Sequence, residues 1–278
     1  MKSKKTGGLR TIGKIKKPLF SIIVATFNSD KYLEGCLKSI FKQNYKNYEV
    51  IIIDNKSTDK THDIIKKFDK KIDLWISEKD RGIFDAMNKG IRNANGKIIS
   101  ILNSDDIFYQ NALKRVSKYF KQDNRIDYIF GTVLKKKIYS GFKPEMIRWK
   151  FNIYLSHSVG FFIKKKIHDK IGLYNIKYKH SNDYDFFYRL INNKKFYGRR
   201  TLRTEVLGKF RDGGFSSKLN FFDILLMELK IRFDNNQNFF DLLIIFFGRC
   251  IFKIISLFKW DLINKMNLLV KANFLKHN

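Results

Sequence analysis

Ile98-Ile99-Ser100-Ile101-Leu102-Asn103-Ser104-Asp105-Asp106 runs from an apolar stretch straight into two adjacent acids. The apolar part predicts a buried strand. Acids at a strand end place carboxylates on the edge of a sheet, where open α/β sheets bind their ligands. Hard oxygen donors there suit Mg²⁺ or Mn²⁺, and such an ion can hold a diphosphate. Taken alone, the stretch reads equally well as a turn with solvated acids and a helix N-cap. The segments on either side decide between the two.

Upstream, the chain alternates strand and helix. Leu19 to Ala25 is an apolar run that predicts a buried strand. Ser29 or Asp30 then offers a cap for a helix whose apolar positions, Leu33, Cys36, Leu37, Ile40 and Phe41, recur at helical spacing. Val50 to Ile53 is a second strand that stops at Asp54, and Ser57-Thr58-Asp59 opens another helix. Ile72 to Ile76 is a third strand, and a helix over Ile83 to Asn93 follows. Gly96 punctuates before the fourth strand. This βαβαβαβ order predicts a mostly parallel sheet. Asp54, Asp80 and Asp105 each lie at or just past a strand end, which puts all three on one edge.

Downstream, the spacing predicts a helix from Ala112 to Phe120, strands at Tyr128 to Val133 and Ser158 to Ile163, and a helix from Asn182 to Ile191. Lys135 to Lys170 is strongly basic, opposed only by Glu145 and Asp169. From Leu219 the chain turns helical and apolar. On a helical wheel Asp241, Gly248, Arg249, Lys253, Ser256 and Lys259 share one arc, and the rest is Phe, Leu, Ile and Trp260. An amphipathic helix with so narrow a polar strip suits a membrane interface, its strip facing water. A helix packed on the main domain or in a homodimer is the alternative.

The formal charge of +30 calls for an anionic partner. Nucleic acid, an anionic membrane surface and phosphorylated substrates all qualify. The charge is spread along the chain and no nucleic-acid motif is visible, so a nucleic-acid partner is not expected. Cys36 and Cys250 are far apart, form no metal or redox motif and read as reduced thiols. The histidines are scattered, which argues against zinc. Met1 to Lys17 holds seven basic residues and no acid, with no apolar segment before Pro18. It reads as a flexible basic arm and not as a secretory signal.

The turn after the first strand, Ala25-Thr26-Phe27-Asn28, lacks the glycines of a dinucleotide fold. Gly90 to Ile98 fails the P-loop spacing. The ordered set from Val24 to Asn28, Asp54 to Asp59, Asp80-Arg81-Gly82 with Ala86-Met87-Asn88-Lys89-Gly90, and Leu102 to Asp106 resembles the family 2 glycosyltransferases over roughly Pro18 to Ser216. The form Asp80-Arg81-Gly82-Ile83-Phe84-Asp85 is similar to a branch found in bacterial surface-polysaccharide clusters.

The resemblance implies a GT-A fold, a nucleotide-diphospho-sugar donor, a divalent cation and inversion at the anomeric carbon. It implies that Thr26, Phe27 and Asn28 border the nucleotide, that Asp54 faces the base, uracil of a UDP-sugar by that likeness, and that Asp80 and Arg81 approach the ribose or diphosphate. Asn103-Ser104-Asp105 takes the place of the Asp-x-Asp motif, and with Asn at its first position Asp105 would carry the metal. Asn182-Asp183-Tyr184-Asp185 matches the acidic segment that supplies the base, which falls on Asp183. His157, Asp185, Gly213 and Gly214 match features near the acceptor or diphosphate.

These readings divide the chain into a basic arm (1–17), a GT-A domain (18–218) with a nucleotide-sugar half (18–108) and an acceptor half (109–218), and an amphipathic tail (219–278). The expected protein is a peripheral enzyme at the cytoplasmic face of a bacterial inner membrane, building lipopolysaccharide, O-antigen or capsule on a lipid-linked saccharide acceptor.

Overall fold

The computed structural model describes residues 4–149, 158–178, 180–211 and 220–274, with backbone alone beyond Phe258. The chain forms two units, Met1–Leu219 and Asn220–Asn278. The first unit begins with β1 (Lys5–Gly7), β2 (Phe20–Thr26), α1 (Leu33–Phe41), β3 (Tyr48–Asp54), α2 (Thr61–Lys67), β4 (Leu74–Ser77), α3 (Ile83–Asn93) and β5 (Ile98–Ile101). It continues with β6 (Ile107–Phe108), α4 (Ala112–Gln122), β7 (Ile126–Phe130), β8 (Thr132–Leu134), β9 (Ile138–Tyr139), β10 (Phe161–Lys164), α5 (Lys165–Ile171), α6 (Asn182–Asn192), β11 (Tyr197–Arg200) and β12 (Val206–Lys209). The second unit holds α7 (Phe221–Asp234) and α8 (Phe239–Phe274).

Eight strands make one sheet in the order β1-β4-β3-β2-β5-β10-β7-β11, and four make a second in the order β6-β12-β8-β9. Every residue of β2 is buried, as is all of β3 after Tyr48. Both faces of these strands are covered, which is why they read as unbroken Ile and Val runs and not as alternation. Each such fully buried aliphatic stabilises by roughly 1.5–3 kcal/mol.

The register sets out the site. β2, β3, β4 and β5 run parallel to one another, with Thr26 opposite Asp54 and Asp54 opposite Ser77. From β2 the chain builds outward through β3 and β4, then returns to place β5 on the other side of β2. The gap between β2 and β5 is therefore a topological switch point, where the loops beyond the carboxyl ends diverge and leave a crevice. Thr26 to Asn28 lie at one lip and Asn103 to Asp106 at the other. The part of the unit after β6 joins through β10, which runs antiparallel to both β5 and β7.

Three expectations need correction. The basic segment before Pro18 is not a free arm among its described residues. β1 pairs antiparallel with β4, and Lys16 meets the buried Asp73 at 2.9 Å. The Arg10 guanidinium pairs with the fully buried Glu49, which also accepts from Ser21 Oγ at 2.5 Å and the Asn95 amide at 2.7 Å. A buried carboxylate needs such a partner, and the arm supplies it. Second, the single strand expected over Tyr128–Val133 is two. At Gly131 the chain leaves one sheet for the other, and a Cβ there would lie 2.1 Å from Leu207 Cδ1. Third, the polar arc of α8 does not face water throughout. Asp241 is buried, and Arg249 reaches the buried Glu228 of α7 at 3.0 Å.

Candidate active site

The loops after β2 and β3 are stitched to each other. The Asn28 amide donates to Ser57 Oγ at 2.9 Å, and the Thr58 amide donates to Asn28 Oδ1 at 2.9 Å. The amides of Ser29 and Asp30 donate to Thr61 Oγ1 at 2.7 Å and Asp59 Oδ2 at 3.1 Å. These bonds displace the expected cap: α1 starts at Leu33, and Ser29 and Asp30 belong to the loop. Asn28 and Lys56 both sit in left-handed backbone, a conformation Asn tolerates better than most residues. Between the stitches the Phe27 ring stands 55% exposed, an aromatic face at the lip of the crevice.

Asp54 is placed at the strand end as expected, but its carboxylate is engaged. It is 1% exposed, Oδ1 accepts from Ser57 Oγ at 2.5 Å, and Oδ2 accepts from Ser77 Oγ at 2.6 Å. It braces the loop that borders the crevice. Thr26, its neighbour across the sheet, is also buried.

The third loop is ordered from the second. The Asp80 amide donates to Asn55 Oδ1 at 2.9 Å, and the Gly82 amide donates to Asp80 Oδ1 at 2.8 Å. Gly82 has φ 114°, so the turn into α3 requires glycine there. Burial pushes the Asp80 carboxyl up from its ordinary value, against the opposing pull of the Gly82 N–H. Arg81 keeps its side chain three-quarters exposed and reaches Asp85 at 3.6 Å.

The fourth loop carries the acids. Ser104 Oγ donates to Ser29 Oγ at 2.9 Å, and the Asn103 amide donates to Ser158 Oγ at 2.9 Å. Cys36 donates weakly to Asn103 O at 3.5 Å, and burial raises its thiol well above the ordinary range. Asp105 and Asp106 differ sharply. Asp106 is 1% exposed, and its Oδ1 accepts the Arg211 amide at 2.9 Å. Burial pushes its carboxyl up to about 6, and the Asp105 charge adds to that. Asp105 is one-third exposed and meets Arg211 Nη1 at 3.6 Å. The Arg211 guanidinium also lies 4.0 Å from the Tyr32 ring centroid. Arg211 was not foreseen; it is more than a hundred positions from Asp105, and only the strand β12 before it brings the two together.

A divalent ion fits this donor set. No cluster of three acids, histidines or cysteines exists among the described residues. A magnesium- or manganese-type site does not need one, because one carboxylate with substrate phosphates and water suffices. Asp105 is the partly exposed carboxylate of this loop, and Asp106 is enclosed behind it.

Asp183 lies in the first turn of α6, half-buried. The neighbouring Tyr174 hydroxyl is pushed up first by burial and then by the Asp183 charge. Tyr174 in turn is clamped to α3: its amide donates to Asn88 Oδ1 at 3.0 Å and its carbonyl accepts from Asn88 Nδ2 at 2.8 Å. Asn182 clamps Tyr178 in the same manner, at 3.3 and 2.9 Å. Asp185 does not open onto an acceptor surface. It is 2% exposed and pairs with Arg189 at 2.9 Å, and Arg189 also donates to Leu173 O at 2.8 Å. His157, Gly213 and Gly214 lie outside the described residues.

Four loops at the carboxyl ends of parallel strands, with a partly exposed acid at the switch point, are matched by the Glycosyl transferase family 2 model across residues 21–200. The chain belongs to glycosyl transferase family 2. An uncharacterized glycosyltransferase of Methanocaldococcus jannaschii is 34% identical over 197 residues, covering 66% of this chain and 68% of its own. A PGL/p-HBAD biosynthesis glycosyltransferase of Mycobacterium bovis is 31% identical over 184 residues, covering 63% and 71%. S. aureus TarS 1–349, solved with UDP-GlcNAc, superposes with a TM-score of 0.60 at 17% identity over 79% of this chain and 68% of its own. A mannosyltransferase of Pyrobaculum calidifontis, solved with GDP-Man and Mn²⁺, gives 0.57 at 18% over 80% and 66%. The expected GT-A fold of this glycosyltransferase is thus established.

Proposed function

We propose that this glycosyltransferase moves a sugar, with inversion and with the aid of Mn²⁺ or Mg²⁺, from a UDP-sugar to a lipid-linked saccharide acceptor in surface-polysaccharide assembly. The observation that carries the reading is the division of labour between Asp105 and Asp183. One is a partly exposed carboxylate at the switch point between β2 and β5. The other is a half-buried carboxylate on a separate element in the acceptor half. The bound structures named above, with UDP-GlcNAc and with GDP-Man and Mn²⁺, support a nucleotide-sugar donor and a divalent ion.

In this reading Asp183 takes the proton of the acceptor hydroxyl as its oxygen forms the bond to the anomeric carbon. The bond from that carbon to the diphosphate oxygen breaks on the opposite face, which inverts the centre. A cation held by Asp105 supplies Lewis-acid neutralisation of the diphosphate when bound. Arg81 and Arg211 add fixed positive charge on the same edge, and Phe27 offers its ring to the base. Asn182 does not weaken this scheme, because its side chain is committed to the Tyr178 backbone and the base is the next residue.

The test is product stereochemistry. With an α-linked UDP-sugar and a polyprenyl-diphosphate-linked saccharide, proton NMR of the product should show a β-linkage. Asp183→Asn should keep UDP binding and lose transfer by about a hundredfold or more. An α-linked product sinks the inversion, and full activity in the variant moves the base elsewhere.

A further inference from the structure

The helical unit encloses a charged cluster and leaves most of its phenylalanines outside. Glu228 and Arg232 of α7 are fully or almost fully buried, and Arg232 donates to Glu228 Oε1 at 2.9 Å and Gln237 Oε1 at 2.8 Å. From α8, Arg249 closes on Glu228 Oε2 at 3.0 Å, and the buried Asp241 accepts from Gln237 Nε2 at 3.5 Å. A charged cluster from both helices is therefore enclosed in the hairpin beside Leu225, Ile231, Leu242 and Ile245, while Asp223, Lys230, Asp234 and Lys253 stay exposed. The outside of the hairpin is largely apolar: Phe222 and Leu226 of α7 are 59% and 58% exposed, and Phe240, Phe247, Phe252 and Phe258 of α8 are 72%, 58%, 72% and 68% exposed.

The width of this surface identifies what covers it. At 100° per residue, the exposed apolar positions of α8 between Phe239 and Phe258 sweep an arc of about 220°, against the ~100° stripe that faces a single packing partner. A second copy of the helix would cover one stripe and leave the rest wet. A medium that contacts all of the arc is a lipid phase. The charge agrees. Residues 220–278 carry eight Lys and Arg against five Asp and Glu, and two of those acids, Glu228 and Asp241, are buried. Lys253 Nζ lies over the Phe221 ring at 5.8 Å, a cation beside the apolar face, where a snorkelling lysine would sit at a membrane boundary. Among the described residues no helix is long and apolar enough to cross a membrane.

We propose that α7 and α8 enter an anionic bilayer from one side as a hairpin, with the aromatic outer face in the acyl region and the Glu228–Arg232–Arg249 cluster sheltered within. This revises the orientation expected from the helical wheel. The polar arc meets α7 over the first part of α8, and the burial is hydrophobic more than electrostatic. The inference rests on the hairpin and not on the sugar-transfer reading.

Flotation of the full-length protein with phosphatidylcholine–phosphatidylglycerol vesicles tests it. Binding should persist in about 1 M NaCl, where the screening length falls to ~3 Å. The double variant Phe247→Glu with Phe252→Glu should lower the floated fraction at least about tenfold, while its thermal shift with UDP and Mn²⁺ stays that of the parent. Ile251→Glu, on the same arc, gives an independent second variant. Three results overturn the proposal: no flotation, flotation lost in high salt, or variants that float like the parent. A stable dimer that ignores vesicles does the same and assigns the face to a second copy. Because UDP binding is read on the same samples, failure here leaves the glycosyltransferase reading untouched.

Discussion

Two buried arginine–glutamate pairs show how differently the two units are made. In the first unit Arg10 and Glu49 are a polar staple at a domain whose core is aliphatic and aromatic, and whose other buried acids, such as Asp54 and Asp185, are each held by hydrogen bonds or a cation. In the second unit Glu228, Arg232 and Asp241 are among the buried residues, and the phenylalanines stand outside. The same residue types are folded for two surroundings. The first unit turns its large apolar side chains inward and buries single carboxylates only where a partner meets them. The second buries the Glu228–Arg232 pair and Asp241 between its helices and turns its phenylalanines outward, as the proposed bilayer setting requires.

The largest stability effect should come from the first staple. Arg10→Ala leaves Glu49 buried without its cation and should cost about 3–5 kcal/mol in urea unfolding. A cost near zero would mean that the segment before Pro18 is the free arm its composition suggests. Next comes pH. His168 is buried beside Phe186, and burial holds its imidazole down to about 4 from an ordinary 6.5. The unfolded chain takes up this proton first, so stability is full above pH 6.5 and falls as pH drops from there towards 4. The loss should reach about 3 kcal/mol, and His168→Gln should flatten that part of the profile. The smallest effect is expected in the second unit. Arg249 is partly exposed and Glu228 keeps Arg232, so Arg249→Ala should cost less than about 1 kcal/mol. A loss as large as that of Arg10→Ala would erase the contrast between the two pairs.

Much of the first unit was legible because parallel strands buried on both faces leave continuous apolar runs. Leu19 to Ala25, Val50 to Ile53 and Ile98 to Leu102 are such runs, and each stops where the sheet edge begins. The acids after them could be placed on that edge without coordinates. What could not be read was the commitment of each carboxylate. Asp54 is spent on Ser57 and Ser77, and Asp185 on Arg189. Pairings of that kind depend on side-chain geometry that spacing does not encode. Arg10 with Glu49 and Arg211 with Asp105 were invisible for a related reason. Each pair is brought together by strand order, across dozens of residues or more, while a basic residue in a chain of +30 looks like solvated surface. In the tail the wheel found the polar arc correctly. It could not say whether that arc met water or a second helix, because α7 has its own buried polar residues.

The central claim is that Asp105 couples a divalent ion to a nucleotide donor at the switch point. Thermal unfolding of the full-length protein with UDP, in Mn²⁺ and in EDTA, tests it directly, since a ligand that binds the folded state raises its apparent stability. At UDP about a hundred times its dissociation constant, the stabilisation should be near 2.7 kcal/mol in Mn²⁺ and nearly absent in EDTA. Asp105→Ala should show the EDTA behaviour in both. UDP binding that is unchanged by EDTA and by Asp105→Ala would contradict the account.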